Sequence, residues 1–240
     1  LALARGVLYA LDPYRGDIRW TRRLGADARP LPLTVEASLA HPDFIVAVAS
    51  DPPALVALEQ ASGRELWRHP LAAPCLCDPI RVKDKLLVPL LSGRVDEVTL
   101  ESGLLLGFWE LGQRLSLGGV YDPDAEIVYL PADQFCLYAL DVRNHRCEQT
   151  LYLRHEAGAL QSVPLVLEET PDGGKKAIRS LLVSEAKGEG ARLLRFTLPL
   201  ESPDAAPAEA VTLPSPHSFP PRRDGAHLAV AGDDGSLTLL

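Results

Sequence analysis

The sequence has no methionine, one asparagine (Asn144), and only five lysines among its 24 basic residues, the other 19 being arginine. Ordinary usage would place about five methionines in a chain of this length, one of them at the start. A chain that opens on Leu1, inside an apolar run, is therefore expected to be a piece of something longer or a processed product. The arginine-over-lysine bias points to a GC-rich genome rather than to a task. No uncharged apolar stretch reaches the ~18 residues a membrane-spanning helix requires. The best window, residues 44–58, is broken by Asp51, Pro52 and Pro53, so this segment is not expected to insert into a membrane. No signal peptide is visible, and a start inside a repeat could not show one. The compartment stays open between a bacterial envelope or periplasm and the cytoplasm.

Clustered basic charge is also lacking. The pairs Arg22-Arg23, Lys175-Lys176 and Arg222-Arg223 are scattered, and the formal net charge is −8 with a pI near 5.3. A surface that tracks phosphates needs grouped lysine and arginine to displace counterions, so nucleic acid is not an expected partner. The signatures Gly-x-Ser-x-Gly and His-Glu-x-x-His are missing. "GGKK" at 173–176 has neither the preceding glycine nor the following hydroxyl residue of a phosphate loop, and reads as a hairpin tip. "DPDAE" at 122–126 and "GDDG" at 232–235 read as polar turns rather than cation loops.

The four cysteines, Cys75, Cys77, Cys136 and Cys147, form neither a C-x2-C pair nor a vicinal pair, and the six histidines show no H-x3-H spacing. If Asp141 pairs with Arg146 across the turn, Cys147 faces Leu140. Cys136 then lies roughly 13 Å further along the strand, beyond disulfide reach. Buried free thiols are expected for all four.

Apolar residues make up 47% of the chain at a mean hydropathy of +0.04, enough to bury a core. Those residues recur in paired runs: "LALARGVLYALD", "FIVAVASDPPALVALE", "LLVPLLSGRVDEVTLE", "EIVYLPADQFCLYALD", "LLVSEAKGEGARLLRFTL" and "HLAVAGDDGSLTLL". Each reads as strand, tight connection, strand. Leu11, Leu58, Leu100, Leu140, Leu198 and Leu239 close the second strand of successive pairs, at a mean interval of about 46 residues, the size of a four-stranded propeller blade. The longest interval carries a turn insertion at 170–176, and the next a Pro/Ala/acid-rich loop at 201–209. Outer strands follow each pair ("DIRWTRRL", "RELWRHPL", "LLLGFWEL") and short inner strands precede them ("PLPLTV", "GGVYD", "SVPLVLEE"). No window sustains the 3.6-residue period of a helical solenoid.

The expected fold is all-β: a β-propeller of four-stranded antiparallel blades, part of a seven- or eight-bladed ring. Its repeats span 1–25, 31–72, 75–112, 117–156, 159–214 and 217–240, cut inside a blade at both ends.

The first repeat, "GVLYALDPYRGDIRW", resembles the PQQ-like (quinoprotein-type) propeller repeat, carried by Ala10-Leu11-Asp12, Gly16 and Trp20. The second repeat matches with Ala57-Leu58-Glu59, Gly63 and Trp67. The third drifts: Leu100-Glu101-Ser102-Gly103 gives a shorter turn, Gly107 stands where tryptophan is expected, and Trp109 follows two residues on. The fourth keeps Ala139-Leu140-Asp141 but has His145 and Gln149 at the glycine and tryptophan places. A WD-type propeller would place Trp-Asp where this chain has Leu-Asp or Leu-Glu. The acidic residue can accept turn N–H groups, the glycine permits positive φ, and the tryptophan can lie across the seam between blades. Trp109 shares a strand face with Gly107 and could take over the docking role that Gly107 cannot perform.

For the enzymes of this family the resemblance implies a quinone held between a tryptophan and a vicinal disulfide, above calcium bound by Glu, Asn and Asp. This chain has no adjacent cysteines, and its one asparagine falls in a turn. The expected reading is therefore the non-enzymatic branch: an interaction scaffold with no cofactor or metal, whose partner is another protein. The resemblance implies such roles in outer-membrane assembly lipoproteins and in bacterial repeat domains fused to kinases. The alternative is an oxidoreductase using PQQ and calcium.

Overall fold

The computed structural model describes every residue except 27, 39–40, 134–135, 154–159, 170–176, 188 and 225–226; the turn insertion and the "GGKK" tip thus lie outside the described residues. Strands are the only regular secondary structure among those described, and they fall into two compact units, Leu1–Ser116 and Leu117–Leu240.

The first unit holds three sheets. One is β1 (Ala2–Ala4), β2 (Val7–Leu11) and β3 (Ile18–Arg23). The next is β4 (Leu33–Val35), β5 (Phe44–Ser50), β6 (Pro53–Glu59) and β7 (Glu65–Pro70). The third is β8 (Ile80–Val82), β9 (Lys85–Pro89), β10 (Arg94–Thr99) and β11 (Leu105–Glu110). The second unit repeats the plan. It has β12 (Val120–Asp122), β13 (Ile127–Pro131), β14 (Cys136–Asp141) and β15 (Arg146–Tyr152). It continues with β16 (Leu165–Glu169), β17 (Ile178–Lys187), β18 (Gly190–Thr197) and β19 (Glu209–Leu213), and ends with β20 (Arg222–Asp224), β21 (His227–Ala231) and β22 (Leu237–Leu239). Every sheet is an antiparallel meander in chain order; the first and last have three strands and the rest four.

Packing between sheets explains why the central strands are apolar at every position. In β5, Ile45, Ala47 and Ala49 join Leu8, Val56 and Trp20 in one cluster. The alternate residues Phe44, Val46 and Val48 join Leu55, Leu86, Val88, Val98 and Trp67 in another. A strand covered on both faces has no polar side, so the simple apolar/polar alternation is lost there. In the second unit, Tyr129, Leu137 and Leu151 pack on Leu181, Val183, Leu194 and Phe196, while Leu182, Leu193 and Leu213 pack on Val230.

The register reveals a feature that composition does not. Pairing slips by one residue at Ala10/Leu11, Ala57/Leu58, Glu97/Val98 and Ala139/Leu140. The extra residue on the outer strand is Arg19, Leu66, Leu106 or Glu148, a β-bulge recurring at one place in four sheets.

This register also realigns the third repeat. Val98 pairs with Leu105 as Leu11 pairs with Ile18, so Val98, not Leu100, is the equivalent residue. Thr99 then occupies the place of Asp12, and the turn is not shorter. Gly16, Gly63 and Gly103 donate their N–H to the carbonyl four residues back, on Asp12, Glu59 and Thr99, at 2.8, 2.8 and 3.0 Å. Leu100, one residue into that turn, is simply buried.

Candidate interaction surface

Each turn that closes a second strand is built by its own side chains. Asp12 accepts N–H bonds from Tyr14 (3.0 Å) and Arg15 (3.1 Å) and pairs with Arg19 (2.7 Å), and the guanidinium foremost holds its carboxyl below the usual range. In Glu59 the Ser62 hydroxyl, then Arg64, has the same effect. Asp141 accepts from the Asn144 side chain (2.7 Å) and from the Asn144 and Arg143 amides (2.9 and 3.0 Å), which likewise hold its carboxyl below the usual range. Thr99 does this work without charge, taking the Leu104 N–H at 3.0 Å. The turns exit at positive φ: +75° at Gly16, +69° at Gly63 and Gly103, and +52° at His145.

Two of these glycines receive an indole from the preceding sheet. The Trp20 ring lies over Gly63, with Cδ2 2.6 Å from where a Cβ would stand, and its Nε1 donates to the Gln60 carbonyl at 3.0 Å. Arg22 Nε donates to the Gly63 carbonyl at 2.7 Å. Trp67 covers Gly103 in the same way, with Cδ2 2.8 Å from the Cβ position. Trp109 is buried in β11, opposite Val95 and on the face it shares with Gly107. The structure thus brings Trp20 to Gly63 and Trp67 to Gly103, while Asp12, Gly16, Glu59 and Asp141 act within their own turns.

The rigid seams frame an exposed strip. Along β11 and the residue before it, Leu104, Leu105, Leu106 and Phe108 are 65%, 43%, 51% and 45% exposed. Leu106 is the bulge residue, where the first and fourth sheets carry Arg19 and Glu148. Phe108 is fixed in place: the Arg94 guanidinium lies 3.9 Å from its ring centroid, and Arg94 is itself held by the buried Asp96 at 2.5 Å. A cation over an aromatic face, tied down by a carboxylate, limits the ring's freedom. β11 is the edge strand of its sheet. The outer strands β3 and β7 are dominated by charged and polar residues (Ile18-Arg-Trp-Thr-Arg-Arg23, Glu65-Leu-Trp-Arg-His-Pro70), which is how edges are normally protected. Contiguous exposed apolar residues on an edge mark interaction surfaces.

Sequence reading missed three polar contacts in the second unit. Asp122 is fully buried and paired with Arg179, while its Oδ1 also accepts the Asp124 N–H at 3.1 Å. Glu185, fully buried, pairs with Arg192. The buried Ser184 hydroxyl meets His217 Nε2, and His217 Nδ1 lies 2.9 Å from the Phe219 carbonyl. A carbonyl only accepts, so Nδ1 donates to Phe219. Arginines and a serine inside apolar strands give no hint of such partners, which sit 7 to 57 residues away in the chain.

All four cysteines are free thiols, but Cys147 is exposed rather than buried. It pairs with Leu140 across the turn, on a sheet edge that nothing in its own sheet covers. The quinone chemistry of the family's enzymes does not fit these residues. Asn144 spends its amide on the Asp141 turn, Trp20 and Trp67 lie against glycines, and no His/Cys/Asp/Glu group suited to a metal occurs among the described residues.

Four-stranded antiparallel meanders, repeated and packed face to face through tryptophan-on-glycine seams, are the blades of a β-propeller. A family model described as "Outer membrane protein assembly factor BamB" matches residues 4–146, and the chain belongs to this PQQ-like repeat family. Among solved structures, BBS1N in complex with ARL6DN, in a lead-soaked crystal, aligns with a TM-score of 0.70 at 14% identity, covering 99% of this chain and 72% of that one. The mercury-soaked form gives 0.69 at 14% identity, over 98% and 72%. BamB from Moraxella catarrhalis aligns at 0.55 and 16% identity, over 99% and 78%. No curated protein matches the chain. No helix among the described residues is long and apolar enough to cross a membrane.

Proposed function

We propose that this propeller is a non-catalytic protein-interaction module. The observation that carries this reading is the exposed strip Leu104, Leu105, Leu106 and Phe108 on an edge whose neighbouring seam is locked by Trp67 on Gly103. Binding residues displayed on a stiff scaffold lose little freedom on association, and a pinned aromatic such as Phe108 is the kind of side chain that anchors interfaces. The family and fold neighbours agree with the reading: one is named as an assembly factor, and another was solved bound to ARL6DN.

In-cell photocrosslinking in the native host tests it. A benzophenone side chain is placed in turn at Tyr14, Leu106, Tyr152 and Phe219, all exposed. The expected result is a discrete adduct to one protein from at least one position. Absence of protein adducts from all four overturns the reading, as does saturable PQQ binding in the presence of calcium.

A further inference from the structure

The charges around β11 narrow the kind of partner. Glu101, in the turn before the strand, and Glu110, at its last residue, are both exposed. Glu110 lies opposite Arg94 in the β10–β11 register, and Glu101 sits beyond the end of that pairing. The Arg94 guanidinium is held by Asp96 and lies against the Phe108 ring. The strip is therefore an apolar run with an exposed carboxylate at either end, on a chain of net charge −8.

We infer that β11 docks an extended segment of another protein that carries alternating apolar side chains between basic ends. This rests on the interaction-module reading and adds the surface and the partner's chemistry. The outward half of the backbone groups of an edge strand faces away from its sheet, and an added strand takes up such groups while its alternate side chains meet the exposed face. Here the exposed residues are Leu104, Leu105, the bulge residue Leu106 and Phe108, with Leu105 and Phe108 on the face they share with Val98 and Asp96, over roughly 13 Å of strand. Lysine or arginine at the segment's ends meets Glu101 and Glu110, which sets the register and disfavours acidic segments. The same charges argue against a second copy of this chain. Two β11 strands side by side would bring four exposed glutamates together on molecules that already repel each other.

The test is selection of displayed nine-residue segments against the intact chain. The library alternates apolar and threonine positions, with Lys, Glu or Ser at both ends. The expected result is enrichment of Lys-ended segments on the wild-type chain and loss of that enrichment on Leu106→Lys. Changing the selected segment's Lys ends to Glu should weaken binding at least tenfold, and Glu101→Lys with Glu110→Lys should reverse the preference. Backbone N-methylation on the segment's bonding edge should abolish binding. Circular dichroism and the unfolding midpoint establish that each variant is folded, as expected for exposed positions.

No enrichment, equal binding of Glu-ended segments, or binding insensitive to Leu106→Lys overturns the inference. Concentration-dependent dimerisation lost in Leu106→Lys overturns it in favour of a second copy. Crosslinks from Tyr14, Tyr152 or Phe219 with none from Leu106 sink this surface but leave the interaction-module reading standing; no crosslink anywhere sinks both.

Discussion

The indole of Trp20 occupies the space in which a side chain at Gly63 would stand, and its Nε1 donates to the carbonyl of Gln60 three residues earlier in the same turn. One residue of β3 thereby joins two sheets through ring packing and a directed hydrogen bond. The glycine is required twice over, for its φ of +69° and for the ring above it.

Gly16 separates these two requirements, since its φ is +75° but nothing lies within 4 Å of its Cβ position. Gly16→Ala should cost about 1–2 kcal/mol, the price of the left-handed conformation alone. Gly63→Ala adds overpacking against Trp20, about 1–3 kcal/mol more. Urea unfolding of the two variants measures the difference. In a double-mutant cycle, Trp20→Ala should remove most of the excess at Gly63; strict additivity would contradict the packing account.

Asp141 ties part of the stability to pH. The Asn144 side chain, two turn amides and Arg146 stabilise its carboxylate, so its folded pKa lies below the unfolded value of about 3.9. Stabilisation of this sign is present above the unfolded value and lost as pH falls through the folded one. Asp141→Asn should therefore be less stable than wild type near neutrality, and the gap should close as pH falls through and below the unfolded value of about 3.9. Unfolding free energies measured from neutrality into acid check the direction; a gap that widens toward acid would be inconsistent with it.

Thiol titration separates the cysteines. With Ellman's reagent the native protein should react rapidly at one thiol, Cys147, and at all four in denaturant. Cys75, Cys77 and Cys136 are buried, and the adjacent Cys75 and burial together push the Cys77 thiol well up, away from its reactive thiolate form. Cys147→Ser should abolish the fast phase.

Arg179→Met strips the fully buried Asp122 of its cation. Leaving one member of a buried pair without its partner costs about 3–5 kcal/mol. Asp122→Asn, which keeps an acceptor for the Asp124 amide, should cost less. Denaturant midpoints of the two variants give the order directly, and the reverse order would show that the turn, not the ion pair, is what Asp122 chiefly supports.

The hairpins were legible because a strand's period and a turn's chemistry are local. Asp12 to Gly16 and Glu59 to Gly63 announce their turns within five residues. The third repeat misled for a local reason as well: Leu100 resembles Leu11 and Leu58, but Thr99 replaces the acidic residue and shifts the frame by two. Only pairing partners reveal that shift, because register is a property of two strands.

What the sequence by itself determined is the repeated four-strand unit, its tight turns and the tryptophans suited to a seam. These follow from apolar runs, positive-φ glycines and side chains that cap their own turns. Tertiary structure alone decided which apolar residues stay uncovered. Leu55 and Leu106 are alike as residues, but Leu55 is buried between two sheets and Leu106 sits on a bulge at a sheet edge. Burial depends on what packs across from a residue, and that neighbour lies in another repeat, tens of residues away in the chain.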